Sequence, residues 1–165
     1  MESRLKLLGH PIHPMLIVFP LGLLATAVIF DVLYVATGSA DLATFSYYAM
    51  IAGVIGGLLA AVFGLLDWTK IPKDTRARRI GAIHGGGNVV VTGLFLLSLL
   101  SRWGDPAYLP NTLPLILGLL GAVLALFTAW LGGELVYRLR VAVDDDANLN
   151  ASNSISREGI AEVRT

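Results

Sequence analysis

Four apolar stretches, each about the ~20 residues that cross a hydrocarbon core, take up most of this chain, and that pattern dictates its fold class. They run from about Met15 to Tyr34, Tyr47 to Leu66, Ile80 to Leu100 and Leu113 to Val136. Lipid offers no partner to a bare peptide group, so each segment has to close its own backbone hydrogen bonds as a helix. Short connections then make consecutive helices antiparallel neighbours. The expected architecture is an all-α integral membrane protein, with four transmembrane helices in an up-down-up-down antiparallel bundle over residues 1–143. Composition agrees, with 55% hydrophobic and 15% charged residues and a mean hydropathy of +0.71, beyond what a domain with a polar surface carries.

The charges are one-sided. Arg4 and Lys6 precede the first span, Lys70, Lys73, Arg76, Arg78 and Arg79 fill the middle loop, and Arg138 and Arg140 follow the fourth span, whereas the other two loops carry only Arg102. Short loops rich in Lys and Arg stay cytoplasmic, so both termini and the middle loop are expected inside. A cleaved signal peptide is the competing reading, with Ala25-Thr26-Ala27 as its small-residue site, but the apolar run continues to Val35 and is long enough to span. After Val143 the chain turns to Asp, Asn and Ser, and residues 144–165 read as a polar, disordered cytoplasmic tail. A net charge of zero gives no reason to expect nucleic acid. The absence of cysteine excludes disulfides, thiolate ligands and an iron–sulfur cluster held by this chain's own sulfur. No internal repeat is evident, and the glycines of spans two and four, Gly53 and Gly57 among them, read as tight helix packing, with homo-oligomerisation left open.

The chemistry-bearing residues gather at one depth. Spans one and three begin on the inner side and spans two and four end there, which puts His10, His13, Asp67, His84, Asn88 and Glu134 at the inner helix ends. Ionisable groups at such positions are costly in lipid and point at the bundle interior, a cavity or each other. His84 and Asn88, four apart, share a helical face. Asp31 stands eighteen residues beyond His13, about 27 Å further along at ~1.5 Å per residue, and reads as a carboxylate in the opposite boundary layer beside Tyr34.

Two chemistries suit the inner cluster. In an up-down bundle spans one and three are diagonal, so His13 and His84 are placed to ligate a b-type haem from opposite faces, with Asn88 in support. Gly22, Gly81, Gly85, Gly86 and Gly87 would give the macrocycle room, and Arg78, Arg79 and Arg138 would meet its propionates. This reading makes the chain an electron-transfer subunit rather than an enzyme on its own. The alternative is a divalent metal such as zinc, bound or transported by ligands drawn from His10, His13, Asp67, His84 and Glu134. A third reading is a non-catalytic assembly protein whose polar residues cap helix ends.

Gly9-His10-Pro11-Ile12-His13-Pro14 running into Phe19-Pro20, Asp67-Trp68, His84 with Asn88, and Trp130-Leu131-Gly132-Gly133-Glu134-Leu135-Val136-Tyr137-Arg138 together resemble the bacterial domain of unknown function 2231 family, over about residues 5–143. The resemblance implies a small multi-pass protein of the bacterial inner membrane with four helices. In some relatives the module looks fused to a Rieske-type iron–sulfur domain, which points toward redox work. This chain has no such domain, so the resemblance implies a separate redox protein as its electron partner.

Overall fold

The computed structural model describes residues 1–3 and 5–155. Arg4 and residues 156–165, the last part of the expected polar tail, lie outside the described residues. A two-stranded hairpin, β1 (Lys6–Leu7) and β2 (His10–Pro11), leads into the helices α1 (Ile12–Leu16), α2 (Val18–Thr37), α3 (Ala40–Lys70), α4 (Arg76–Ser101) and α5 (Thr112–Gly133), the last continued by a π-helical turn over Glu134–Arg138. Among the described residues four helices are long and apolar enough to cross a membrane, α1 with α2 forming the first and α5 with its π turn the last. The helices overrun the apolar stretches at both ends, because a helix continues into the polar boundary for as long as its caps allow.

Pro20 explains the break in the first span. Proline has no N–H and its ring strikes the carbonyl four residues back, which here is Leu16, the last residue of α1. Gly38 ends α2 in the left-handed conformation (φ 73°) with its N–H on the Tyr34 carbonyl at 2.8 Å, a conformation that costs glycine little.

The closest packing is α2 on α3 and α4 on α5, with α3 against α4 and α2 against α5 completing the ring. Helices α2 and α4 are therefore diagonal across an up-down-up-down bundle. Its core holds Ala27, Met50, Val54, Val91, Phe95 and Leu99, while Phe19, Leu58, Val89, Leu126 and Trp130 lie exposed on the outside, as a lipid-facing surface requires. Lipid tails are as apolar as leucine, so close helix approach rests on small residues. A methyl on Gly53 would sit 2.7 Å from the Leu24 side chain, and one on Gly121 would sit 2.9 Å from the Phe95 ring. These glycines work within the chain. Gly22 and Gly93 meet nothing within 4 Å, so Gly22→Ala and Gly93→Ala are expected to be neutral or to add up to about 1 kcal/mol of stability through helix propensity and a less flexible unfolded chain. Reversible unfolding in mixed detergent micelles measures it, and a loss at either position would show that these faces are packed.

Both described chain ends meet at one end of the bundle. The N-terminal ammonium donates to the Arg140 carbonyl at 3.0 Å, Ala142 N–H donates to the Met1 carbonyl at 2.9 Å, and Lys6 Nζ bonds Glu2 at 2.8 Å and also pairs with Asp144. Beneath them Ile71, Leu135 and Val141 form a second apolar cluster with Trp68 and Leu139. The described part of the tail passes over the hairpin, where Ser154 Oγ donates to the Leu8 carbonyl at 3.1 Å. The α3–α4 loop lies here too, so among the described residues nearly all the positive charge collects at this basic end.

Candidate functional site

At the basic end, just inside the bundle, the rings of His13 (α1) and His84 (α4) stand with centroids 6.5 Å apart and planes at 89°. Each is held in the same manner. His13 Nδ1 lies 2.8 Å from the Ala60 carbonyl on α3, and His84 Nδ1 lies 2.8 Å from the Thr128 carbonyl on α5. A carbonyl only accepts, so both Nδ1 atoms carry the proton, and a neutral ring then keeps its lone pair on Nε2.

Asn88, one turn after His84, braces the second ring. Its amide donates to the His84 carbonyl at 2.9 Å and approaches His84 Nε2 at a longer 3.3 Å. Its Oδ1 accepts from Thr128 Oγ1 at 3.0 Å. His84, Asn88 and Thr128 thus form one hydrogen-bonded unit between α4 and α5.

Two glycines make the docking possible. In an α-helix the carbonyl of residue i lies beneath residue i+4 on the same face, so a ring bonded to the Ala60 carbonyl must lie against residue 64, and one bonded to Thr128 against residue 132. A methyl on Gly64 would come within 2.9 Å of His13 Cε1 and Nδ1, and one on Gly132 within 3.2 Å of His84 Cε1. In the sequence Gly64 and Gly132 look like general packing residues, and Ala60 and Thr128 attract no notice. No distinct sequence signal marks these positions, since every residue offers a carbonyl and glycines recur along both helices.

The remaining inner polar residues do not join this pair. Asp67 is buried and accepts from Ser3 Oγ at 2.7 and 2.8 Å. Glu134 pairs with Arg76 at 2.8 Å. His10, on the exposed hairpin, has Ser154 Oγ 3.3 Å from its Nε2. Among the described residues no three His, Asp or Glu side chains converge as a metal-holding group. The expected ligand set of His10, His13, Asp67, His84 and Glu134 is therefore split in this structure, because Ser3, Arg76 and the hairpin each draw one member away.

Two further expectations are corrected. Gly81 and Gly87 do not leave space beside His84, since a methyl on Gly81 would lie 2.8 Å from the Trp68 side chain and one on Gly87 2.6 Å from that of Thr128; Gly22, Gly85 and Gly86 do face open surroundings. Arg78 is already engaged, its guanidinium 3.7 Å over the Trp68 ring and donating to the Trp68 and Ile71 carbonyls at 2.7 and 3.1 Å, which leaves Arg79 and Arg138 as exposed cations.

At the opposite end of the bundle Asp31 is not a boundary carboxylate. It is 1% exposed and takes both prongs of the Arg102 guanidinium, one at 2.9 Å. Arg102 also donates to Ser46 Oγ at 3.4 Å and Ser98 Oγ at 3.2 Å. The physical reason is pairing, since a lone buried charge is prohibitive whereas a two-pronged, hydrogen-bonded pair is tolerated. The signal was present in the sequence, for Asp31 is the one acid inside the first span and Arg102 the one cation of the loops between spans one and two and between spans three and four.

The donor chemistry of the histidine pair suits one metal centre. The two rings are near neighbours, 6.5 Å apart at their centroids, each leaves Nε2 as its remaining donor, and Nδ1–H bonds to carbonyls are how ligating histidines are held in orientation. A family model described as predicted membrane protein (DUF2231) matches residues 9–145. Neither a curated protein nor a solved structure matches the chain.

Proposed function

The chain belongs to the DUF2231 family of predicted membrane proteins, and from the site's geometry we propose that it is a haem-binding, electron-transfer subunit of the bacterial inner membrane, in which His13 and His84 would hold a b-type haem. The observation that carries this reading is the pair of perpendicular imidazoles with centroids 6.5 Å apart, each with its Nδ1–H fixed on a helix carbonyl. When bound, the haem supplies a one-electron couple. The protein's part is to keep the protons on Nδ1 so that the Nε2 atoms carry the lone pairs, that of His84 being engaged by the long Asn88 contact a ligand would displace, to hold the rings at a set spacing from diagonal spans, and to bury them partly away from water. Asn88 orients His84 through its stronger bonds to the His84 carbonyl and Thr128, leaving only the long 3.3 Å approach to Nε2. Arg79 and Arg138 are exposed cations at the basic end that would meet propionates, and Gly85 and Gly86 flank His84 without neighbours. Positive charge in short loops favours the cytoplasmic side, which supports placing that end where a separate redox protein would exchange electrons with it.

A divalent ion such as zinc is the second reading, resting on the same two nitrogens. It requires ligands beyond the pair, and Asp67, Glu134 and His10 are held elsewhere.

A visible spectrum of the protein purified in detergent from haem-replete cells, with metal analysis on the same sample, tests these readings. A Soret band is expected in the wild type and in His10→Ala, and is expected to vanish in His84→Ala and His13→Ala. Stoichiometric zinc without a Soret band, lost in the same two variants, would transfer the site to the metal reading. Neither haem nor metal, with the histidine variants changing only thermal stability, would leave the assembly role as the surviving one.

A further inference from the structure

The two closely packed helix pairs make the same contacts twice. His13 on the first span lies against Gly64 on α3, and His84 on α4 lies against Gly132 on α5. Leu24 fills the place of a methyl on Gly53, and Phe95 fills that of a methyl on Gly121. Asp31 meets Arg102, and these two are 71 residues apart. His84 and Phe95 likewise stand 71 residues after His13 and Leu24, while Gly121, Thr128 and Gly132 stand 68 after Gly53, Ala60 and Gly64. The outward-facing Gly22 and Gly93, neither with a neighbour within 4 Å, obey the first offset too. Because the two offsets differ and the shared residues are few, the sequence alone hides the repeat.

From these coincidences we infer that the bundle is two copies of one helical hairpin related by a pseudo-twofold axis along the membrane normal, and that Asp31 and Arg102 are a positioning pair on that axis, fixing the spacing of the helices that carry His13 and His84. Parallel repeats related by such an axis are an established way of building membrane proteins. The helix period supplies the geometry. Arg102 follows His84 by eighteen residues along the continuous α4, which is five turns at about 3.6 residues per turn and one face. Asp31 follows His13 by the same eighteen across the break between α1 and α2, and the contacts show both still turned toward the diagonal helix. The diagonal helices therefore meet at two levels, imidazole on imidazole at one end and carboxylate on guanidinium at the other. On a twofold axis equivalent positions face each other, and opposite charges at 31 and 102 turn like into complementary. This inference does not depend on what the histidines bind.

The chain has no cysteine, so Gly22→Cys with Gly93→Cys places two spin labels at equivalent, open positions of the full-length protein, and the distance between them in detergent reads the diagonal spacing. One narrow distance is expected with the native pair, and its loss is expected in Asp31→Asn, in Asp31→Arg and in Arg102→Asp. The exchange variant, Asp31→Arg with Arg102→Asp, is expected to recover the narrow distance, a rescue that a generally disruptive substitution would not give. If Asp31→Asn fails to accumulate, Arg102→Lys, which keeps the charge and loses the fork, takes its place with the same expected loss. An unchanged narrow distance in Asp31→Asn or Arg102→Lys would overturn the positioning role, and an exchange variant no better than the single reversals would overturn the axial equivalence. Labels read this spacing with or without haem, so the result separates cleanly from the spectral test.

Discussion

Arg102→Met lowers the stability of the folded bundle by about 3–5 kcal/mol, the range for removing one partner of a buried ion pair. The size follows from what remains. Asp31, 1% exposed, loses both prongs of its partner, and among the described residues no cation other than Arg102 is paired with it. The hydroxyls of Ser46 and Ser98, which meet the guanidinium at 3.4 and 3.2 Å, cannot replace a full charge. A carboxylate stranded there must be protonated or drag water into the bundle, and either costs free energy. Removing both charges together, as Asp31→Leu with Arg102→Met, is expected to recover most of the loss, since an apolar pair of similar volume replaces a buried ion pair at little cost or at a gain. Unfolding in mixed micelles measures both variants. A loss below about 1 kcal/mol for Arg102→Met, the scale of an exposed pair, would mean that Asp31 and Arg102 are solvated.

The parts of this molecule that are legible in its sequence are those where one physical effect outweighs every other. Four apolar runs fix four spans and their alternation, because in lipid the helix is the one local solution for a lone segment. The charges of the connections gather at one end because Lys and Arg in short loops set the orientation of the spans. Pro20 announces the break in the first span, and the break falls where its missing N–H removes a bond to Leu16. The histidine pairing of diagonal spans is also legible, from topology and depth. What is not legible depends on choices among partners of similar energy. Asp67 could have faced His13 but takes Ser3, Glu134 takes Arg76, and Arg78 takes Trp68. Those pairings bring together residues up to 64 apart in the chain, and no periodicity encodes them. Asp31 escapes a sequence reading for a related reason, because a carboxylate near a boundary solvates itself unless a cation is delivered to it, and Arg102 arrives from another helix.

Gly64→Ala is expected to cost about 1–3 kcal/mol, the usual penalty of overpacking a filled site, and the cost should disappear in a chain that already carries His13→Ala. A methyl at position 64 lands 2.9 Å from two atoms of the His13 ring, a separation that neither group can keep, and the ring has to swing off the Ala60 carbonyl. The three nearest atoms to that methyl all belong to the imidazole, so removing the ring removes the clash. Gly132→Ala should follow the same rule against His84→Ala with a smaller penalty, because its methyl stands 3.2 Å from one ring atom and the ring can yield by a few tenths of an ångström. The two double-mutant cycles therefore measure coupling between residues that are far apart in sequence, and contacting residues couple by about 0.5–3 kcal/mol. Equal costs for Gly64→Ala with and without His13 would mean that the ring does not rest on α3, and the carbonyl docking that holds both imidazoles for a shared ligand would lose its basis. Strong coupling in both cycles would establish that each histidine is seated by the descending helix of its own hairpin, so that only the diagonal spacing is left to decide what the two Nε2 atoms can bind.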